Sequence, residues 1–139
     1  MRQDIYNHIR EALESLGEIR HIDLWNRNVE FIDEEAPWER PAVFVEFRPV
    51  RWREIESRVE YRCTPQVALH IVTDWVPAWG DAPGAGMMFD LPRLIHERLA
   101  GLCGERFYGL ELVESHTNHD HEEILDMVEV YECEASRIF

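Results

Sequence analysis

The sequence contains no lysine. All 14 basic residues are arginine, set against 28 aspartates and glutamates, for a formal net charge of −14 in 139 residues. Without lysine there can be no P-loop lysine, no Schiff-base lysine and no Ser–Lys dyad. So large a negative excess repels phosphate backbones and anionic lipid at long range, which disfavours sequence-independent nucleic-acid binding and attachment to membrane surfaces. Cysteine is scarce too. Cys63, Cys103 and Cys133 are odd in number, far apart and without a CxxC pair. They point to buried thiols in a reducing compartment rather than to a disulfide framework or a zinc site. No apolar run approaches the roughly 20 residues that a bilayer-spanning helix needs. The charged opening MRQDIYNHIREALESLG lacks the apolar core of a signal peptide, so the expected location is the cytosol in which the chain is made.

What is present suffices for one ordinary domain. Hydrophobic residues make up 45% of the chain, and a domain of this length buries roughly 65–70% of the surface its unfolded chain exposes. A single domain over residues 1–139 is expected. Ile5, Ile9, Ala12, Leu13 and Leu16 recur at helical spacing, with Gly17 as a stop. Residues 19–25 give a strand. Residues 26–40 read as a long loop with a short strand at 29–32. Residues 41–50, bracketed by Pro41 and Pro49, place Val43, Val45 and Phe47 on one strand face.

Residues 51–61 read as one exposed strand or a loop becoming strand, and residues 64–75 as the clearest strand. There Val67, Leu69 and Ile71 point one way and Ala68, His70 and Val72 the other. A Pro/Gly-rich loop at 76–89 precedes a helix with Asp90 as N-cap, Pro92 in its first turn, an apolar stripe of Leu91, Leu94, Ile95, Leu99 and Leu102, and an end at Gly101 and Gly104. A hairpin closes the chain. Its first strand, 106–115, carries Tyr108, Leu110 and Leu112 on one face; a polar turn spans 116–123, and the last strand runs over 124–137. The order α-β-β-β-β-α-β-β predicts an α+β fold: a mainly antiparallel sheet with two helices packed on one face.

Few constellations could carry chemistry. His116, His119 and His121 stand with three acids in eight residues and could ligate a divalent ion. Their spacing matches no metal motif, and a solvated turn favours the same residue types, so the polar turn is preferred. A metal-binding module or metal-dependent enzyme built on these histidines remains one alternative, and an unrelated small adaptor or ligand-binding domain with residues 76–89 as a lid is another. Adjacent acids such as Glu34–Glu35 are expected by chance in so acidic a chain. Cys63 and His70, seven apart on one stretch, fall on opposite strand faces and cannot act as a nucleophile–base couple.

Arg48, Arg51, Arg53, Arg58 and Arg62 cluster around Trp52 and Tyr61, but Glu46, Glu54, Glu56 and Glu60 interleave and nearly cancel their charge. A mixed-charge strand pair of this kind suits a protein interface better than nucleic acid. Five tryptophans are many for a small core. Trp38, Trp75 and Trp79 lie in or beside the long loops, either as interface anchors or as lids over the sheet, and both readings stay open. The interface candidates are therefore Trp38, Arg51, Trp52, Arg53, Trp75 and Trp79.

Several passages together carry a family resemblance: the helix DIYNHIREALESL, the proline-introduced strand RPAVFVEF, the long strand VALHIVTDW, the helix opening FDLPRLIHERLAGL, and the hairpin NHDHEEILDMVEVYEC. In this order they resemble the tail terminator, or tail completion, proteins of long-tailed bacteriophages and the related minor tail proteins of prophages. The resemblance spans nearly the whole chain. It implies a ring, commonly a hexamer, that caps the finished tail tube and offers a surface for joining the head. The implied partners are copies of the chain, the tail tube protein and a head-completion or connector protein. The implied location is the virion tail, after assembly in the host cytoplasm. The resemblance implies no cofactor, no reaction and no active-site motif. A subunit charged at −14 would flank a DNA conduit without adhering to it. The passage 75–89, rich in Trp, Gly and Pro, departs from the family pattern.

Overall fold

Helix α1 (Arg2–Glu14) forms because Ile5, Ile9 and Leu13 recur every fourth residue and bury completely on one side. It ends short of Gly17: the Leu16 N–H donates to the Leu13 carbonyl at 2.9 Å, a tightened last turn. Residues 1–25, 38–56, 60–74, 87–118 and 124–138 are described by the computed structural model; the short strand expected at 29–32 lies outside them. Helix α2 (Met87–Leu99) buries Leu91, Ile95 and Leu99. It begins before Asp90, which therefore sits in the first turn near the positive end of the helix dipole rather than at the cap, with Pro92 inside the helix. Its end is marked by Gly101, at φ 76°. A left-handed residue at this position is usual for glycine and unfavourable for others.

Among the described residues, seven strands form one sheet: β1 (His21–Leu24), β2 (Ala42–Phe47), β3 (Arg53–Glu56), β4 (Glu60–Cys63), β5 (Gln66–Asp74), β6 (Phe107–Asn118) and β7 (Ile124–Ile138). The strand path is β1-β2-β5-β7-β4-β3, with β6 on the other edge of β7. Strands β4 and β5 keep one continuous register along β7, from Glu60 opposite Ile138, through Cys63 opposite Ala135, to Asp74 opposite Ile124. They act as one long strand interrupted at Thr64–Pro65, where the Cys133 N–H donates to the Pro65 carbonyl. On the far side of that strand, β2 pairs with β5 and β3 with β4. The sheet is thus two long antiparallel hairpins side by side, β2/β3 with β4/β5 and β6 with β7, plus β1 added parallel to β2.

The α+β class, the mainly antiparallel sheet and the packing of both helices on one face agree with the sequence reading. One detail differs. Among the described residues, five strands rather than four separate the helices, because the passage read as one strand over 51–61 holds both β3 and the start of β4. Alternation sorts the core. Val43, Val45, Val67, Leu69, Ile71, Leu125, Met127 and Tyr131 meet α1 and α2 on the helix face. Ala42, Phe44, Val72 and Ile124 point the other way and pack with Trp25 and Trp38. Burial on both faces explains why β5 reads as an almost unbroken apolar run.

The expected alternation of Tyr108, Leu110 and Leu112 in β6 fails. Register shifts between Tyr108 and Glu111 and between Leu112 and Glu114 break it, with Gly109 at φ 73° within the first. Leu110 is buried, while Tyr108 and Leu112 are exposed. Strand β6 also runs through His116 to Asn118, positions expected to lie in the turn.

Candidate functional site

The second face of the sheet carries a polar cluster that sequence reading did not identify. Register brings His70 of β5 opposite Phe44 of β2 and Val128 of β7. The imidazole lies between two carboxylates, with Nε2 2.7 Å from Glu46 Oε1 and Nδ1 3.2 Å from Asp126 Oδ2. The indole of Trp25 stacks on it with ring centroids 3.7 Å apart. Burial opposes charging of His70, but the hydrogen bonds and charges of Asp126 and Glu46 outweigh it and raise the imidazole pKa above its ordinary value. A doubly donating imidazolium fits this geometry. With both ring nitrogens engaged and one ring face under Trp25, the group is arranged to clamp β2, β5, β7 and the end of β1 together rather than to take a proton from a substrate. The sequence signal was a histidine with even parity in an apolar strand; the two carboxylates lie 24 and 56 residues away.

At the other end of the same face the arginines gather. Arg53 of β3 stands directly opposite Arg62 of β4. Arg51, Arg53 and Arg62 line a cleft of about 500 Å³ with Pro49, Thr64, Gln66 and Glu134. Arg53, Arg62 and Arg106 line an adjoining cleft of about 300 Å³ beside Tyr108 and Ser136. The charge cancellation expected along the sequence is only partial in space, because alternation sends Glu54, opposite Tyr61, to the other side of the strand pair. Glu60 pairs with Arg62 at 3.2 Å.

The sheet edges are the third feature. Among the described residues, no strand pairs with the outer edges of β1, β3 or β6. Strand β6 is 12 residues long, and it exposes Tyr108 (64%), Leu112 (39%) and Val113 (43%). Free backbone donors and acceptors beside apolar side chains make such an edge suited to strand addition.

The remaining candidates fall as follows. Trp38 is half-buried: its ring centroid lies 4.9 Å from that of Phe44, it stacks near His21, and Arg40 lies over it. For this residue the lid geometry is the one observed. Trp52 is half-buried against the helix-face core, whereas Arg51 and Arg53 are exposed. Trp75 and Trp79 lie outside the described residues. His116 is exposed on β6 opposite Val128, while His119 and His121 lie outside the described residues. No group of three His, Cys, Asp or Glu able to hold a metal ion occurs among the described residues. Cys63 sits in the helix-face core and His70 on the opposite face, as strand parity requires. Cys133 is buried, and its thiol pKa is pushed up to about 12 by burial, so it is a packing group rather than a nucleophile. None of the described helices is long and apolar enough to cross a membrane.

No family model matches the chain, and no curated protein is similar to it in sequence. In three dimensions it is similar to a chain of a solved structure described as "Virion of native gene transfer agent (GTA) particle". That likeness has a TM-score of 0.58 at 11% identity and covers 99% of this chain and 95% of the other. At that identity the likeness is one of fold, extending over nearly the whole of both chains.

Proposed function

We propose that this chain is a structural subunit of a phage or prophage tail that self-associates into a ring, caps the tail tube and joins it to the head. The observation that carries this reading is the end-to-end fold likeness to a chain from a virion particle, covering 99% of this chain. The passage-by-passage resemblance of the sequence to tail terminator proteins supports the finer assignment. The edges of β1, β3 and β6, unpaired among the described residues, supply surfaces through which copies could join. The described polar clusters support it as well: the most elaborate of them, around His70, is occupied internally.

The mechanism is interface complementarity. Copies join through sheet edges and surface side chains, and the closed ring presents a fixed surface to the tube protein on one side and a head-completion protein on the other. No cofactor takes part. Sedimentation of the purified chain, alone and with tail tube protein, tests the reading. A discrete oligomer in either sample supports it. A strict monomer in both, with no binding to the tube, overturns it.

A further inference from the structure

The proposed ring requires that subunits each carrying −14 lie against one another, so their contact needs a local source of positive charge. Several described arginines are neutralised or engaged within the chain: Arg10 by Glu14, Arg40 by Asp74, Arg93 by Asp90 and Glu97, and Arg98 by the Ser15 hydroxyl. Arg51 and Arg53 are exposed and form no ion pair among the described residues. Arg53 also stands directly opposite Arg62. Like charges in that position repel, and one carboxylate, Glu60, lies against Arg62. The cleft of about 500 Å³ that these three arginines line also offers Thr64 and Gln66, and holds one carboxylate of its own, Glu134, so the arginines exceed the acids in its lining. It has the charge and polar groups to receive carboxylates, to which arginine can donate in bidentate fashion.

The complementary surface lies across the sheet. Glu111 and Glu114 are exposed on the outer strand β6, opposite Glu132 and Val130 of β7. Strand β3, bearing Arg53, and strand β6 form opposite borders of the sheet. A basic site on one border and an acidic strand on the other give a head-to-tail contact, the kind that closes into a ring when the rotation between copies allows.

Resting on the ring reading above, we infer that the Arg51/Arg53/Arg62 cleft receives Glu111 and Glu114 from the β6 edge of a second copy of this chain.

Charge reversal tests the pairing. Arg51→Glu with Arg53→Glu takes the net charge from −14 to −18, because each change removes a positive charge and adds a negative one; Glu111→Arg with Glu114→Arg takes it to −10 by the converse. Either pair of changes is expected to weaken self-association by roughly 100-fold or more. All four changes in one chain restore both the complementarity and the −14, and are expected to restore the oligomer. Circular dichroism checks that each variant keeps its fold. A wild-type oligomer indifferent to both reversals, or a fourfold variant that stays dissociated while folded, overturns this contact and leaves the ring reading standing. A wild-type chain that is monomeric both alone and on the tube overturns both. Binding of a duplex DNA oligonucleotide that Arg51→Glu/Arg53→Glu abolishes without changing the oligomer would reassign the cleft to a polyanion and overturn the proposal.

Discussion

The indole of Trp25 lies flat on the imidazole of His70, with ring centroids 3.7 Å apart and planes 4° from parallel. The stack fixes the end of β1 over the centre of the sheet, and the backbone N–H of Trp25 donates to the Val45 carbonyl at 2.9 Å. A protonated imidazole under an indole also gains cation–π attraction. His70 thus links four segments through its own ring and two carboxylates.

The pH dependence follows from the raised pKa of His70. A pKa higher in the folded than in the unfolded chain means that folding takes up protons at this site. The stabilisation is fully present below the ordinary imidazole value of about 6.5 and fades as pH rises through the higher folded value. Around neutral pH and above, the wild type should therefore lose part of its advantage over His70→Gln. Thermal unfolding of both proteins across that range checks this. Parallel curves, with a constant difference in midpoint, would show that His70 carries no proton-linked stabilisation.

Gly104 is a site where a single methyl group should matter. A Cβ there would stand 2.7 Å from Asp4 Oδ2 and press on the Phe107 ring. Asp4 Oδ2 already accepts the Arg106 N–H at 2.9 Å, tying α1 to the entry of β6, and Phe107 is buried in the core. Neither neighbour can move freely. Gly104→Ala is expected to cost about 1–3 kcal/mol, the range for forced overpacking. Chemical denaturation measures it, with a loss under about 0.5 kcal/mol, the scale of a neutral surface change, contradicting this account.

Parity and periodicity carried most of the fold in the sequence. Ile5, Ile9 and Leu13 on α1 and Val67, Leu69 and Ile71 on β5 announced their buried faces because spacing alone decides which side chains share a side. What spacing cannot convey is register between distant strands. The meeting of Glu46, His70 and Asp126 depends on pairings across β2, β5 and β7. Likewise, the glutamates between the arginines of 51–62 look neutralising along the chain, yet pleating sends Glu54 away from Arg53 and Arg62. The Tyr108–Leu110–Leu112 pattern failed for a related reason: two bulges in β6 reset the alternation. Gly109, with its positive φ, was the one local sign of the first.

Ile95 offers a contrast between core and surface on a single helix. Its side chain is wholly buried between α2 and the sheet, whereas Glu97, two residues on, is exposed and pairs with Arg93. Ile95→Ala should cost about 2–5 kcal/mol through lost burial and the cavity left behind. Glu97→Ala should change stability by less than about 1 kcal/mol, as exposed ion pairs contribute little. Equal losses in denaturant titrations would mean that α2 is not seated on the sheet through its Leu91–Ile95–Leu99 stripe.

Strand β6 has no lysine to guard its open edge, because the chain has none. Lysine on an edge strand is a common way of discouraging edge-to-edge pairing. Here the edge is edited only by two bulges and by Glu111 and Glu114, while Leu112 and Val113 stay exposed between them. An edge meant to remain solitary would carry a charge at those two positions. Leu112→Lys and Val113→Lys should leave monomer stability within about 0.5 kcal/mol, since both sites are surface positions, yet should weaken association between copies. Unfolding curves separate the two effects, and sedimentation reads the second. If both lysine variants assemble as the wild type does, the apolar stretch of β6 faces solvent in the assembly.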